Sequence, residues 1–512
     1  MKKIIKSIIK STHHGVRNDP EVRKIISKHP RIFQFIKKRL TSNEKYGLYL
    51  TIGSLFTLFF VFLFFGIIQD YIGQEALIKA DLRIINLISQ YRKSYLNELM
   101  LFITHLAKGQ VITVAVIFSL IILFLLNKWS YLKSLLIFVL GGELFVWIIK
   151  NIIDRPRPPL ATALVTETSY SFPSGHSFIA IAFYGLITFF IFESLKKKYL
   201  KVLTLIFGFI LVILIGFSRI YLGAHWPSDV LASYASGLAW LSIIITISHI
   251  KRKFHPKLAI QPKLKHKTII QIAVSLLILF FIFTYNFYKN HPLKTNSQVL
   301  APKTIISSKD IDTKLFENLP KISENITGSA AEPINFIIIA NKETLDKAFI
   351  DSGWYLLDPI GVRNTIKIIK SLINKKTYYN TPGLPVFWNT KPNDFGFGKP
   401  DSKEASARQH IHFWETSFIT PDNQSIWFGT AHFDEKVKTK FNIIMPVHTT
   451  ELIVDNQREK LKNELDQNGF ITSIEKINLT GLTYVTKKSG NKFLTDGQAY
   501  ILYLKNNEKP TN

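Results

Sequence analysis

Apolar stretches recur along the first 290 residues and stop there. Residues 47–68, 109–127, 230–250 and 268–288 are uncharged runs bounded by charged or polar sequence. A hydrocarbon core of roughly 30 Å demands about 17 to 25 such residues of a spanning helix. Three further runs fit less cleanly: 134–149, which contains Glu143, and the shorter 177–192 and 202–218. The pattern predicts seven spans. Beyond residue 290 charge, Pro and Asn mix with short apolar runs. A Lys, Ser and Asn-rich linker over 291–332 leads to strands at 334–340, 425–433, 441–447 and 499–504 and a helix at 343–351. The expected fold class is an all-α transmembrane helical bundle followed by an α+β soluble domain at 333–512.

Composition supports a bilayer setting, because 47% hydrophobic and 13% aromatic residues exceed what an ordinary soluble chain carries. A net charge of +28 raises the question of nucleic acid, but the cations are not interleaved with exposed aromatics along a groove. They cluster between spans: thirteen Lys or Arg in 1–46, four in 196–201 and seven in 251–267. With Lys128 and Lys133, all of them fall on one side of a seven-span chain. The positive-inside rule then makes 1–46 a basic cytoplasmic segment and 251–267 a cytoplasmic loop before the seventh span. The C-terminal domain emerges outside, in a bacterium the periplasm. The basic N-terminus is either a contact with the anionic leaflet or a topology signal. Residues 1–10 carry Lys too often for the apolar core of a cleaved secretion signal. With no Cys in the chain, disulfides and thiol chemistry are excluded.

The chemistry is concentrated in three blocks: Lys150-Asn-Ile-Ile-Asp-Arg-Pro-Arg157-Pro158, Phe172-Pro-Ser174-Gly175-His176-Ser177, and Ser218-Arg219-Ile-Tyr-Leu-Gly-Ala-His225-Trp-Pro-Ser-Asp229. Span parity brings all three to the outer face. Each alone has an ordinary explanation, since Lys and Arg snorkel at helix ends and Pro-Ser opens many helices. Together they set three cations, Lys150, Arg157 and Arg219, beside a helix N-terminus with the small Ser174 and Gly175, as a phosphoryl group's oxygens require. His225 and Asp229 stand four apart, so the carboxylate can orient one imidazole nitrogen while the other faces phosphorus. His176 supplies an acid for the leaving group and later a base for water. Glu143, two helical turns before Lys150, is either a hydrogen-bonded neutral residue between helices or a group that tunes the site.

These blocks resemble the K-x6-R-P, P-S-G-H and S-R-x5-H-x3-D signature of the type 2 phosphatidic acid phosphatase superfamily, over roughly residues 75–250. The resemblance implies a six-helix core, here within 47–250, with the seventh span as an appendage. It implies His225 as nucleophile through a phosphohistidine, Asp229 as its orienter and His176 as general acid and base. Lys150, Arg157, Ser174, Gly175 and Arg219 would bind phosphate, with no metal and no cofactor. The expected partners are a lipid phosphate and the bilayer, with no nucleic acid. The expected reaction is hydrolysis of a phosphomonoester or pyrophosphate on phosphatidic acid, phosphatidylglycerol phosphate or undecaprenyl diphosphate. Vanadate-dependent haloperoxidases have a similar site, and seven spans argue against that reading. A non-catalytic anchor or transporter displaying the outer domain gives no reason for both histidines and three cations.

The outer domain resembles that of LssY-like bacterial membrane proteins through Arg408-Gln-His-Ile-His-Phe-Trp414 and Ile426-Trp-Phe-Gly-Thr-Ala-His-Phe-Asp434. Strand alternation puts His410, His412 and Trp414 on one face and His432 with Asp434 on another. A metal or ligand site and a set of hydrogen-bonded strand faces both fit that pattern. The charge clusters make a direct prediction for topology. Alkaline phosphatase fused after Asn290 should be active and fused after Arg252 inactive, and the opposite pattern would turn the three blocks to the cytoplasm.

Overall fold

The computed structural model describes residues 20, 24, 27–41, 47–254, 264–292, 303–307, 310–311, 315–374, 378–400, 408–439, 446–450, 453–486 and 492–505. The chain divides into two compact units, one of 1–69, 93–158 and 163–296 and the other of 70–92, 159–162 and 297–512.

The first unit is helical. It contains α1 (Pro30–Leu40), with Ile32, Phe35 and Ile36 exposed beside Lys37, Lys38 and Arg39, and α2 (Leu48–Ile72), an apolar helix that buries only Phe64. Helix α3 (Ala76–Ser89) belongs to the second unit. The helical unit resumes with α4 (Ser94–His105), α5 (Gly109–Leu125), α6 (Trp129–Ile153), α7 (Gly175–Ser194), α8 (Lys198–Tyr221), α9 (Pro227–Phe254) and α10 (His266–Asn290). Six of these described helices are long and apolar enough to cross a membrane, and α4 with α5, bent by 50°, makes a seventh if the pair is one span. The chain is thus a multi-pass membrane protein. Within α7 a π-helical stretch covers Ala180–Gly185. Glycine permits the closest helix approach: a Cβ at Gly216 of α8 would overlap the hydroxyl of Tyr234 on α9, which donates to Val212 O at 2.9 Å. Glu143 lies on the exposed face of α6 with Leu144 and Trp147, which does not fit the alternative of a hydrogen-bonded residue between helices.

The second unit is built on a sheet. Its strands are β1 (Thr304–Ile305), β2 (Ile322–Glu324), β3 (Ala330–Pro333), β4 (Phe336–Ile339), β5 (Tyr355–Leu356), β6 (Phe387–Trp388), β7 (Lys391–Pro392), β8 (Phe395–Pro400), β9 (Arg408–Ile419), β10 (Ser425–Thr439), β11 (Pro446–Thr450), β12 (Ile471–Asn478), β13 (Thr483–Thr486), β14 (Lys492–Thr495) and β15 (Gln498–Leu504). The main sheet runs β12-β15-β4-β10-β9-β8-β5, with β1 and β11 off that path. β15 and β4 pair in parallel, whereas β4, β8 and β9 meet their neighbours on β10 and β9 antiparallel.

Period-two alternation sorts the core. Phe336 and Ile338 of β4 pack with Ile411, Phe413 and helices α11 (Lys342–Asp351) and α13 (Asp455–Gln467), while α12 (Val362–Asn374) lies between them in the chain. Ile337 and Ile339 face the other way, onto Trp388, Trp414 and Phe428.

Three details differ from the sequence reading. The 291–332 linker contains β1, β2 and part of β3. Helix α3, read inside the membrane domain, joins the sheet unit: Arg83 pairs with Glu324, and Asn86 Nδ2 donates to Thr390 O at 3.0 Å. His432 shares a face with His410 and His412, because the three rings pack together. The strand expected at 441–447 lies mostly outside the described residues.

Asn335, buried just before β4, acts as an extra rung of the sheet. Its Nδ2 donates to Ala431 O at 2.9 Å and its Oδ1 accepts from Ala431 N at 2.8 Å. A buried backbone group left without a partner costs roughly 1–3 kcal/mol. Asn335→Leu orphans two, so the thermal unfolding midpoint of the purified protein should fall by about 5 °C or more; an unchanged midpoint would remove this role.

Candidate active site

Helix ends position the polar groups. Asp154 ends α6 in the left-handed region (φ 42°), its N–H on Lys150 O, and throws the following Arg155-Pro-Arg157-Pro158 segment away from the helix. Ser174 caps α7, accepting from Ser177 N at 3.5 Å and from Ser177 Oγ at 2.9 Å. The turn after α8 passes through Gly223 (φ 70°), the kind of position that favours glycine, and places His225 just before Pro227 opens α9.

His225 is buried. Its Nδ1 lies 3.4 Å from Asp229 Oδ2 and its Nε2 lies 3.4 Å from Arg157 Nη1. Asp229 is fully buried and held at both oxygens: Oδ1 accepts from Arg155 at 2.7 Å and Oδ2 accepts from Trp226 N at 3.0 Å. Arg157 also donates to Ser169 O at 2.6 Å, to Ser169 Oγ at 3.0 Å and to Ala224 O. Lys150 Nζ donates to Tyr170 O. Arg219, almost wholly buried, donates to Thr104 Oγ1 at 2.7 Å and to Glu167 Oε1 at 2.6 Å. His176 is half-buried at the start of α7. Gly175 has open space where a Cβ would be, with only Val146 at 3.9 Å. The structure therefore gathers the three blocks around one set of cations.

Electrostatics follow from this packing. Burial, reinforced by Arg157, Arg219 and Lys150, holds the His225 imidazole well below its ordinary value, so it is neutral at physiological pH. Burial lowers Arg157 to about 10, which leaves it charged. Burial works to raise the Glu167 carboxyl, but Arg219 and Arg157 outweigh it and hold the group below its usual value. A neutral imidazole backed by a carboxylate and ringed by cations can attack a phosphorus centre and stabilise the charge that develops on its oxygens.

Two residues of this site escaped the sequence reading. Arg155 was visible only as the other arginine of Asp-Arg-Pro-Arg, and the spacing rule picked Arg157. Glu167 sits in an irregular loop with no periodic signal. Since Arg155 touches Asp229 Oδ1 and Ser228 Oγ, both at 2.7 Å, it acts through the carboxylate. Removing one partner of a buried pair destabilises by about 3–5 kcal/mol. Arg155→Lys keeps the charge and loses the fork, so it should stay folded, lower kcat by about 10²-fold and leave KM nearly unchanged; a loss confined to KM would place Arg155 on the substrate instead.

Comparison with known proteins accords with this geometry. Residues 127–253 match the PAP2 superfamily and residues 316–499 match the LssY C-terminus. Phosphatidylglycerophosphatase B of Bacillus subtilis is 35% identical over 200 residues, 38% of this chain and 97% of the relative. Undecaprenyl-diphosphatase of Sulfolobus acidocaldarius is 28% identical over 194 residues, 36% of this chain and 87% of the relative. Among solved structures, the transmembrane PAP2-type phosphatidylglycerolphosphate phosphatase from Bacillus subtilis is 31% identical, covering 40% of this chain and 98% of that one, with a TM-score of 0.35. With its helical part matched along nearly the whole length of the Bacillus relative, the chain belongs to the PAP2 superfamily and carries an LssY C-terminal domain after its membrane helices.

Proposed function

We propose that this protein is a membrane lipid phosphatase that hydrolyses a phosphomonoester or pyrophosphate through a phosphohistidine on His225, without a metal. The observation that carries the reading is the setting of His225: a neutral imidazole with Asp229 at Nδ1 and the Arg157 guanidinium at Nε2. Nε2 attacks phosphorus and the bond to the lipid oxygen breaks. His176 protonates that oxygen, and Asp229 balances the charge of the phosphorylated ring. Water, deprotonated by His176, then cleaves the nitrogen–phosphorus bond and frees phosphate. Lys150, Arg157, Arg219 and the small N-terminal turn Ser174-Gly175 hold the phosphoryl oxygens.

The relatives named above support phosphatidylglycerol phosphate and undecaprenyl diphosphate as substrates, with phosphatidic acid as the third of the class. The protein sits in a bacterial inner membrane with the site and the C-terminal domain on the periplasmic side. Two observations support this orientation: the basic clusters fall on the opposite side, and residues 70–92, after the first span, fold in the same unit as 297–512.

Phosphate release by the purified protein from a panel of these lipids tests the class, and chelator should leave the rate unchanged. His225→Ala should abolish turnover and acid-labile phosphoenzyme; labelling equal to wild type would refute the nucleophile. General acid catalysis is worth about 10²- to 10⁴-fold, so His176→Ala should slow phosphoenzyme formation far more from an alkyl than from an aryl phosphate. The reactive form of His225 is the neutral one, which persists down to its depressed value. With an aryl phosphate, the acid limb of phosphoenzyme formation should therefore lie below pH 6.5, the ordinary histidine value; a limb at or above it would contradict a buried neutral nucleophile.

A further inference from the structure

The sheet unit contains a second concentration of titratable groups. His410 and His412 of β9 and His432 of β10 are 2%, 4% and 5% exposed, a burial that charged or unsatisfied imidazoles do not reach without cause. Their ring centroids form a nearly equilateral triangle: 6.1 Å between His410 and His412, 5.6 Å between His410 and His432, and 5.7 Å between His412 and His432. Two cross-strand rows build it. Gly398, His410 and His432 are mutual neighbours across β8, β9 and β10, and Gly396, His412 and Thr430 form the next row. Glycine flanks His412 from two segments, since a Cβ at Gly396 of β8 would stand 3.3 Å from its Nδ1 and one at Gly383, in the chain before β6, 3.1 Å from its Cε1, while Leu357 packs over Gly396 and Gly398. Among the described residues, His412 Nδ1 and Thr430 Oγ1 are buried with no hydrogen-bond partner. Such groups in a core ask for water or an ion.

We propose that His410, His412 and His432 bind one borderline divalent transition metal of the zinc type, with the fourth position open to water beside the Thr430 hydroxyl. As the rings stand, no three donors among the described residues converge on a metal-sized point. A tetrahedral ion about 2.0–2.1 Å from each nitrogen separates imidazole centroids by roughly 5 Å. Closing the triangle therefore takes about 1 Å of side-chain movement together with rotation of the rings, which stand within 11° to 20° of parallel, so that one nitrogen of each turns inward. Burial lowers His412 to about 4, opposed by Glu332, so its ring is neutral at physiological pH with a lone pair to give. Three imidazoles favour zinc, copper, nickel or iron over calcium or magnesium, which take oxygen donors. An anion is the wrong ligand for neutral rings. Glu332, itself buried and acting on His412, offers the nearby charge that a bound cation needs.

The test uses the full chain in detergent without a polyhistidine tag, stripped with chelator and dialysed against Zn2+ or Co2+. The expected results are one metal per chain and an intense visible Co2+ spectrum of four-coordinate type. His412→Gln and His432→Gln should each weaken binding by about tenfold or more, while His225→Ala retains the metal. Less than about a tenth of an equivalent in wild type, a pale six-coordinate Co2+ spectrum, or full loading of the His412→Gln/His432→Gln double variant would overturn the site. If the variants do not fold by near-ultraviolet circular dichroism, the wild-type stoichiometry and Co2+ spectrum decide. Phosphate release measured on the same stripped protein separates this site from catalysis, since lost activity on stripping would count against the metal-free mechanism and not against the histidine site.

Discussion

The buried contact between Arg155 and Asp229 is the constraint on which the candidate site depends. It joins the segment leaving α6 to the first turn of α9, two stretches 74 residues apart in the chain. Burying either charge alone is prohibitive. The pair is tolerable because Trp226 N and Ser228 Oγ add hydrogen bonds to the carboxylate and guanidinium respectively. Once Asp229 is fixed, the turn from Gly223 to Pro227 leaves His225 little freedom, and its Nδ1 faces the carboxylate.

A second consequence is electrostatic. Asp229 is shared among Arg155, Lys150 and Arg157, so one carboxylate offsets only part of the positive charge gathered there. Glu167 adds a second carboxylate, paired with Arg219 and felt by Arg157 and Lys150, which still leaves more cations than anions. Arg157 is held by carbonyl oxygens and a hydroxyl, which orient a guanidinium without discharging it. A multiply charged phosphate is the kind of ligand that repays such an arrangement, because it meets several cations at once in a site where solvent screens them poorly.

How much of this was legible in the sequence depended on regularity. Lys150, Ser174, Arg219 and Asp229 sit at helix ends, where hydropathy marks the boundary and parity assigns the side, so their gathering was readable. Arg155 and Glu167 lie in irregular chain, where nothing periodic reports a side chain's direction. Helix α3 was hidden for another reason: it meets the sheet unit through polar side chains such as Arg83 and Asn86, and a short amphipathic helix between spans gives no sign of its tertiary partner. The placement of His432 turned on strand register. The offset between β9 and β10 is set by pairing and not by alternation within either strand, and it puts His432 opposite His410.

The sheet unit holds two kinds of buried polarity, and the contrast shows what its packing accounts for. Asn335 fills both of its amide functions with Ala431, so its burial is explained by the strands it joins. The face carrying the three histidines is otherwise lined by Trp414, Phe428 and Ile426, a surface that apolar side chains would complete at lower free energy. The strand ladder needs only their backbones, and Gly396 of β8 stands beside His412 where any side chain would crowd the ring. A fold that needed the histidines for cohesion would have given His412 Nδ1 and Thr430 Oγ1 partners; that neither finds one among the described residues is a departure from packing that structure alone does not require.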